Sequence, residues 1–188
     1  FRGADGKWRY EIDDSKAEFT PSAIREWSNE GAVRGPMGNL LIHPELFNAY
    51  PSLKEVEGRL GWAPQRHGFY QASPPPILGA FSPEIYANLG GKAEDSLLGV
   101  SLHELQHAVQ KIEDFARGDA PSNYMNPNSA GAIDAYKRSA GETEARNTQR
   151  RMDLSRKTRE QQHPVDTQDV PTANQRVQYS NSHDVHAP

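Results

Sequence analysis

The residues best suited to chemistry lie in one short run, His-Glu-Leu-Gln-His at positions 103–107. In an α-helix, residues four apart lie on one face with their Cβ atoms about 5–6 Å apart, so the imidazoles of His103 and His107 can reach one Zn²⁺. Glu104 lies beside this pair, where its carboxylate can take a proton from water activated by the metal and act as a general base. The spacing therefore predicts a catalytic helix with Zn²⁺ as its cofactor.

A catalytic zinc usually has three protein ligands, so a further acidic side chain is needed. Glu142 and Glu144 are the candidates, in the run Ala-Gly-Glu-Thr-Glu-Ala-Arg at 140–146. They lie about 200° apart around a helix, so only one can face the metal. Small residues share the face of Glu142 and would let two helices approach closely, which favours Glu142 and leaves Glu144 as the alternative. Both could instead be surface charges paired with Arg146 or Arg150.

Hydrolysis of a carbonyl compound also needs a donor that stabilises the oxyanion of the tetrahedral intermediate. Tyr136 and Tyr124 are candidates for this role, and Arg146 is a third. Each of the three also fits as an ordinary packing or surface residue.

The elements that would position these residues follow from hydrophobic periodicity. Apolar residues recur every three or four positions from Leu98 to Ala116, which predicts an α-helix that Gly118 could end. A loop over 119–128 and a second long helix over roughly 129–153 are predicted next. The second helix would carry both candidate glutamates.

The first half of the chain predicts short strands and helical turns. The alternation at 7–12 predicts a strand with Trp8 and Tyr10 facing the core. Thr20 before a proline predicts the start of a short helix at 21–28. Further strands are predicted at 39–42, 54–62, 67–72, 77–81 and 84–89, with helical turns at 44–50.

The composition of the chain limits the kinds of chemistry and the kinds of partner that it can have. The chain has 188 residues, 35% of them hydrophobic, a net charge of −4 and no cysteine. These values exclude disulfides and thiolate chemistry, and they argue against nucleic acid as a partner, because no broad basic field is present. Neither a membrane-spanning segment nor a signal peptide is predicted, so membrane partners are not expected. We divide the chain into a domain at 1–152 and a polar tail at 153–188, which we expect to wrap the domain or a partner.

The histidine pair followed by a glutamate helix resembles the gluzincin group of metallopeptidases. In that group the third ligand begins an E-x-x-[AS]-[DN] run, which corresponds here to Glu142 through Arg146. The resemblance implies Glu142 as third ligand. Arg146 departs from the pattern, because the group has Asp or Asn there to support a ligand histidine; Asp134 or Asn147 could substitute.

A second resemblance covers most of the chain in order. The segments 6–17, 43–53, 97–118, 140–152 and 167–171 are similar to metallopeptidase-like domains in large polyvalent proteins of phages and prophages. The resemblance implies a phage origin, a virion-associated or host-cytoplasmic location and an α+β, zincin-like fold. In such a fold a small antiparallel sheet packs on the active-site helix and the glutamate helix.

The sequence thus predicts a zinc-dependent peptidase acting on a peptide or protein substrate, with other phage virion proteins as further partners. An edge strand within 84–89 could align an extended peptide by main-chain pairing. The alternative is a virion-packaged structural or interaction module in which zinc only joins two helices. A third interpretation is an effector that uses the same chemistry on a target inside a host.

Overall fold

The computed structural model describes residues 1–61 and 97–179. Within these ranges the protein is mixed α+β, with seven α-helices and four short strands. The helices are α1 (Pro21–Glu30), α2 (Met37–Leu40), α3 (Pro44–Ala49), α4 (Leu97–Ile112), α5 (Ala130–Arg138), α6 (Ala140–Arg151) and α7 (Arg156–Gln161). The strands are β1 (Glu18–Phe19), β2 (Ala32–Pro36), β3 (Leu41–Ile42) and β4 (Glu57–Gly61).

The four strands form two separate antiparallel pairs in the described ranges, β1 with β3 and β2 with β4. In the longer pair, Val33 lies opposite Leu60, and both side chains are buried. The prediction of short antiparallel strands is confirmed in this coarse form, but the described strands form two pairs and not one sheet. The predictions at 67–72, 77–81 and 84–89, and the last residue of 54–62, lie outside the described residues.

One hydrophobic core joins these N-terminal elements to α4. Burial of large apolar side chains supplies most of the free energy that holds the two parts together. The largest apolar side chains that are almost fully buried in this core are Met37, Leu41, Leu53, Val56, Leu60, Leu102 and Leu105. Helix α4 therefore has one face fixed in the core and a neighbouring face available for the histidines.

Helix α1 forms for the reasons that its sequence predicts. The Thr20 hydroxyl accepts a hydrogen bond from the Ala23 amide, and Pro21 occupies the first helical position. The helix ends at Gly31, whose φ of 71° is left-handed and easily adopted by glycine. The predicted helix at 21–28 is confirmed and extends to Glu30. The helical turns predicted at 44–50 are confirmed as α3.

The strand predicted at 7–12 is wrong. Only one isolated bridge, between Arg2 and Trp8, occurs in this part of the chain. Trp8 is 68% exposed and Tyr10 is 97% exposed, whereas Arg9 between them is buried. The residues do alternate between buried and exposed, but the aromatic ones face outward, because Arg9 is buried in ion pairs with Asp5 and Glu144. At 39–42 only the last two residues form a strand, since Met37–Leu40 closes a helical turn first.

Helix α4 is shorter than predicted. It ends at Ile112 instead of continuing toward Gly118, and Ile112 is exposed. Asp114 has a φ of 50°, which lies in the left-handed region and is incompatible with a right-handed α-helix. After this turn Phe115 and Ala116 are buried again, so the apolar spacing continues past the end of the helix.

The long helix predicted at 129–153 is two helices, α5 and α6, separated at Ser139. Ser139 has a ψ of 131°, and its buried hydroxyl donates to the carbonyl of Arg117. The Ala140 amide donates to the carbonyl of Arg176, and the Arg176 amide donates to the carbonyl of Arg138. The C-terminal segment therefore supplies the hydrogen bonds that an unbroken helix would have made internally.

The described part of the tail packs on the rest of the chain. Besides the pairing at Arg176, the Arg117 amide donates to the carbonyl of Gln178, and Arg146 pairs with Asp169. Among the described residues no helix combines the length and apolar character that spanning a bilayer would need.

Candidate metal centre

The structure brings three side chains from two helices together. His103 and His107 lie one turn apart on α4, and Glu142 lies in the first turn of α6, which packs along α4. The two Nε2 atoms are 3.2 Å apart. Glu142 Oε1 lies 3.2 Å from His107 Nε2, and Glu142 Oε2 lies 3.4 Å from His103 Nε2.

These distances match the spacing of ligands on a tetrahedral metal. Two atoms that are each about 2.0–2.1 Å from a tetrahedral zinc lie roughly 3.3 Å from one another. The three distances between the side chains differ from that value by no more than a tenth of an ångström or so. The carboxylate makes these two approaches through different oxygens, and the group of three side chains can hold a metal ion.

The environment of Glu142 also fits a cation. Glu142 is 4% exposed, and its Oε2 atom is buried without a hydrogen-bond donor. A buried carboxylate oxygen without a partner is costly, and a bound cation would remove that cost. Burial would raise the pKa of Glu142, but the two imidazoles outweigh it and hold the pKa well below its usual range. Burial would lower the pKa of His107, but Glu142 outweighs it and raises the pKa to about 9.

Glu104 lies next to this group without belonging to it. It is 5% exposed, and its burial raises its pKa, an effect that the nearby histidines partly offset and Glu142 reinforces. A carboxyl group whose pKa is raised holds a proton more readily than an exposed one, a property that general acid–base groups share.

Two glutamines hold the far sides of the imidazoles. His103 Nδ1 lies 2.8 Å from Gln149 Oε1, and His107 Nδ1 lies 2.8 Å from Gln110 Oε1. Since an amide oxygen can only accept, both Nδ1 atoms carry a proton, and in the neutral form of each ring Nε2 is the nitrogen whose lone pair can bind a metal. The supporting residues proposed from sequence are wrong, because Asp134 pairs with Arg138 and the Asn147 amide donates to a backbone carbonyl.

A signal for both glutamines is present in the sequence. Gln110 follows His107 by three residues, so it shares a face with that histidine on α4. Gln149 follows Glu142 by seven residues, which is two helical turns. The supporting residues expected from the gluzincin pattern are Asp and Asn, whereas here the longer amide side chains of Gln110 and Gln149 reach the two rings.

Glu144 faces another part of the structure. It forms a buried ion pair with Arg9 and accepts a hydrogen bond of 3.1 Å from the Gln110 amide. The structure therefore gives the two candidate glutamates different neighbours, and the interpretation of both as surface charges is wrong. Glu142 faces the histidines, and Glu144 faces the N-terminal segment.

That N-terminal segment carries the family similarity of the chain. Residues 1–20 match the family model described as Large polyvalent protein associated domain 23. The match links the chain to polyvalent proteins, and it does not extend to α4 or α6. Neither a curated protein nor a solved structure matches the chain.

The tyrosines differ in their relation to the centre. Tyr136 is half-buried, and burial together with the neighbouring charge of Glu142 raises the pKa of its hydroxyl. Tyr124 donates a hydrogen bond of 2.6 Å to Asp119, whose own amide donates to Glu142 Oε1. Tyr136 thus lies against the ligand group, whereas Tyr124 acts on it only through Asp119. Arg146 lies at the tail, paired with Asp169.

Two glycines allow the chain to approach the centre closely. A Cβ atom on Gly118 would overlap Glu142 and the His107 ring. A Cβ atom on Gly141 would overlap the backbone of residues 117–118. The segment after α4 therefore passes directly over the ligands, and this passage requires the absence of side chains at both positions.

Proposed function

We propose that this chain is a zinc-dependent peptidase of zincin-like fold, with His103, His107 and Glu142 as the metal ligands. The observation that carries the proposal is the convergence of two imidazole nitrogens, 3.2 Å apart, and the Glu142 carboxylate, with the buried Glu104 beside them. When bound, the metal would polarise the scissile carbonyl and lower the pKa of water.

Glu104 has the position and the raised pKa for the proton transfers of peptide hydrolysis. It would take a proton from the attacking water and return it to the leaving amine. Tyr136 is the better candidate for an oxyanion donor, because its hydroxyl lies near Glu142 and its raised pKa keeps it protonated. Tyr124 is the weaker candidate, since its hydroxyl donates its hydrogen bond to Asp119 and not to the ligand group.

Solvent access favours an enzyme over a structural zinc site. The side chains of His103 and His107 each retain 12% exposure, and the group found among the described residues has three members and not four. A structural zinc is usually enclosed by four protein ligands. The similarity of residues 1–20 supports a role within a phage polyvalent protein, and we propose virion proteins and a peptide or protein substrate as partners.

Metal content of purified variants tests the ligand set. Wild type should bind one zinc per chain, and Glu142→Ala should lose it, because a carboxylate ligand is removed. Glu144→Ala is the comparison on the same helix: at saturating zinc it should still bind one zinc per chain, because it removes no ligand, although the loss of its contacts with Arg9 and Gln110 lowers stability and zinc affinity. Zinc at wild-type stoichiometry in Glu142→Ala would refute the ligand set.

Hydrolysis of a quenched fluorescent peptide library tests the role of Glu104. Glu104→Gln should retain zinc and lose turnover by at least about 10²-fold, since it keeps the shape of the side chain but cannot accept the proton. Unchanged turnover would refute the role of Glu104. A zinc-loaded wild type that cleaves no peptide would favour the alternative, an interaction module whose zinc only joins α4 to α6.

A further inference from the structure

A continuous chain of hydrogen bonds runs from the N-terminal segment to the ligand His107. Asp5 makes two bonds to Arg9, of 2.7 and 2.8 Å, and Arg9 Nε pairs with Glu144. Glu144 Oε2 accepts from the Gln110 amide at 3.1 Å, and Gln110 Oε1 contacts His107 Nδ1 at 2.8 Å.

The direction of each bond in this chain is fixed. Both acceptors around the Gln110 amide nitrogen are oxygens, one on Glu144 and one on the backbone of Gly141 at 2.9 Å. Gln110 must therefore present its oxygen to His107. If the amide were reversed, its N–H groups would face Nδ1, the proton would move to Nε2, and that nitrogen could no longer bind a metal.

Burying the Arg9–Glu144 ion pair costs desolvation free energy, which indicates a role for the pair besides stabilising the fold. Arg9 and Glu144 are both buried, and desolvation makes such a pair no more stabilising than an apolar pair of similar volume. The Arg9 guanidinium also stacks on the ring of Phe115, 4.0 Å from its centre, which holds it in one orientation. The pair thus provides a fixed acceptor for Gln110 at some expense of stability.

We propose that Arg9 and Glu144 are positioning residues that set the zinc affinity of the centre through Gln110. Residues 1–20, the segment with the polyvalent-domain similarity, would then complete a metal site whose ligands all lie more than 80 residues further along the chain. The inference rests on the metal centre of the proposed function and does not depend on peptide hydrolysis.

The test is a competition titration of zinc against a chromogenic chelator, at one pH, on the full chain. The Arg9→Met/Glu144→Met double variant removes the charged pair without leaving one charge buried alone. It should bind zinc at least about tenfold more weakly, within the 10–100-fold range typical of partners that orient metal ligands. Gln110→Met, which removes the bond to His107 directly, should lose at least as much.

Glu11→Gln is the matched control. Glu11 also lies in the N-terminal segment and pairs with α6, through Arg151 at 2.7 Å, but it has no bond to Gln110. Its zinc affinity should stay within about twofold of wild type. An equal loss in Glu11→Gln, or wild-type affinity in the double variant, would overturn the proposal.

Thermal unfolding of the zinc-free variants checks that each is folded. If the double variant does not fold, Glu144→Gln replaces it, because this amide can turn an N–H toward Gln110 while retaining the size of the side chain. Wild-type zinc affinity in Glu144→Gln would then overturn the proposal, and a loss of about threefold or more would support it. A wild type that binds zinc and cleaves no peptide would refute only the peptidase, whereas a wild type without zinc would refute both.

Discussion

At His107, a proton and a metal ion compete for the same nitrogen. The Gln110 oxygen keeps a proton on Nδ1, so the second proton of the charged imidazole lies on Nε2, which faces Glu142 3.2 Å away. The carboxylate that would help to bind the metal therefore also stabilises the proton that excludes it. Zinc binding must displace this proton, since a histidine ligand binds in its neutral form.

This competition predicts the pH dependence of zinc binding. Because the pKa of His107 is raised to about 9, the apparent affinity should rise roughly tenfold per pH unit between pH 6.5 and 8.5. Competition titrations at three pH values, corrected for protonation of the chelator, measure this slope. In the same range the metal-free protein should lose stability. The protonated His107 ring stabilises the folded state, and this contribution is complete below pH 6.5 and lost as the pH rises through about 9. A zinc affinity independent of pH would show that His107 is not a ligand.

The sequence predicts this site at the residue scale where the geometry is local. The four-residue spacing of His103 and His107 determines their common face, and the angular separation of Glu142 and Glu144 determines that only one can join them. Local spacing does not predict the burial of Arg9, since its partner Glu144 is 135 positions away in the sequence.

At the scale of elements, the placement of Glu142 depends on the break between α5 and α6. The periodicity of 129–153 gives no sign of this break, because the hydrogen bonds that stabilise it come from Arg117 and Arg176, which are distant in sequence. The apolar pattern does not reveal the end of α4 at Ile112 either, since Phe115 and Ala116 are buried again after a non-helical turn. Helix starts such as Thr20–Pro21 were predictable because their caps are local.

Two serine-to-alanine variants distinguish the effect of the break between α5 and α6 on zinc binding from the effect of a general loss of helix stability. Ser139→Ala removes the hydroxyl that holds the Arg117 carbonyl beside Gly118, and it should cost about 1–2 kcal/mol of unfolding free energy and weaken zinc binding. Ser129→Ala removes the N-cap of α5, and it should cost about 1 kcal/mol without affecting zinc. Urea unfolding and chelator competition measure the two quantities. Equal zinc affinities in both variants would mean that the break does not position Glu142.

At the scale of the whole molecule, both ends of the described chain converge on α6. Glu11, from the N-terminal segment, pairs with Arg151 and with Arg159 of α7, while Arg146 binds Asp169 of the tail. These contacts fix α6 to the N-terminal segment and the tail. Between the two helices that carry the candidate ligands, Gln110 of α4 donates to Glu144 of α6, and a bound ion would add a further link.

Zinc should therefore stabilise the whole fold against heat. At a free zinc concentration about 100 times the dissociation constant, binding to the native state alone adds about 2.7 kcal/mol. For a chain of this size that corresponds to a rise in melting temperature of roughly 5–10 °C, measurable by differential scanning calorimetry with and without zinc. Glu104→Gln should show the same rise, because it keeps all three ligands, and His107→Ala should show none. A rise retained in His107→Ala would assign the stabilising zinc to other residues and leave α4 and α6 joined by their own contacts alone.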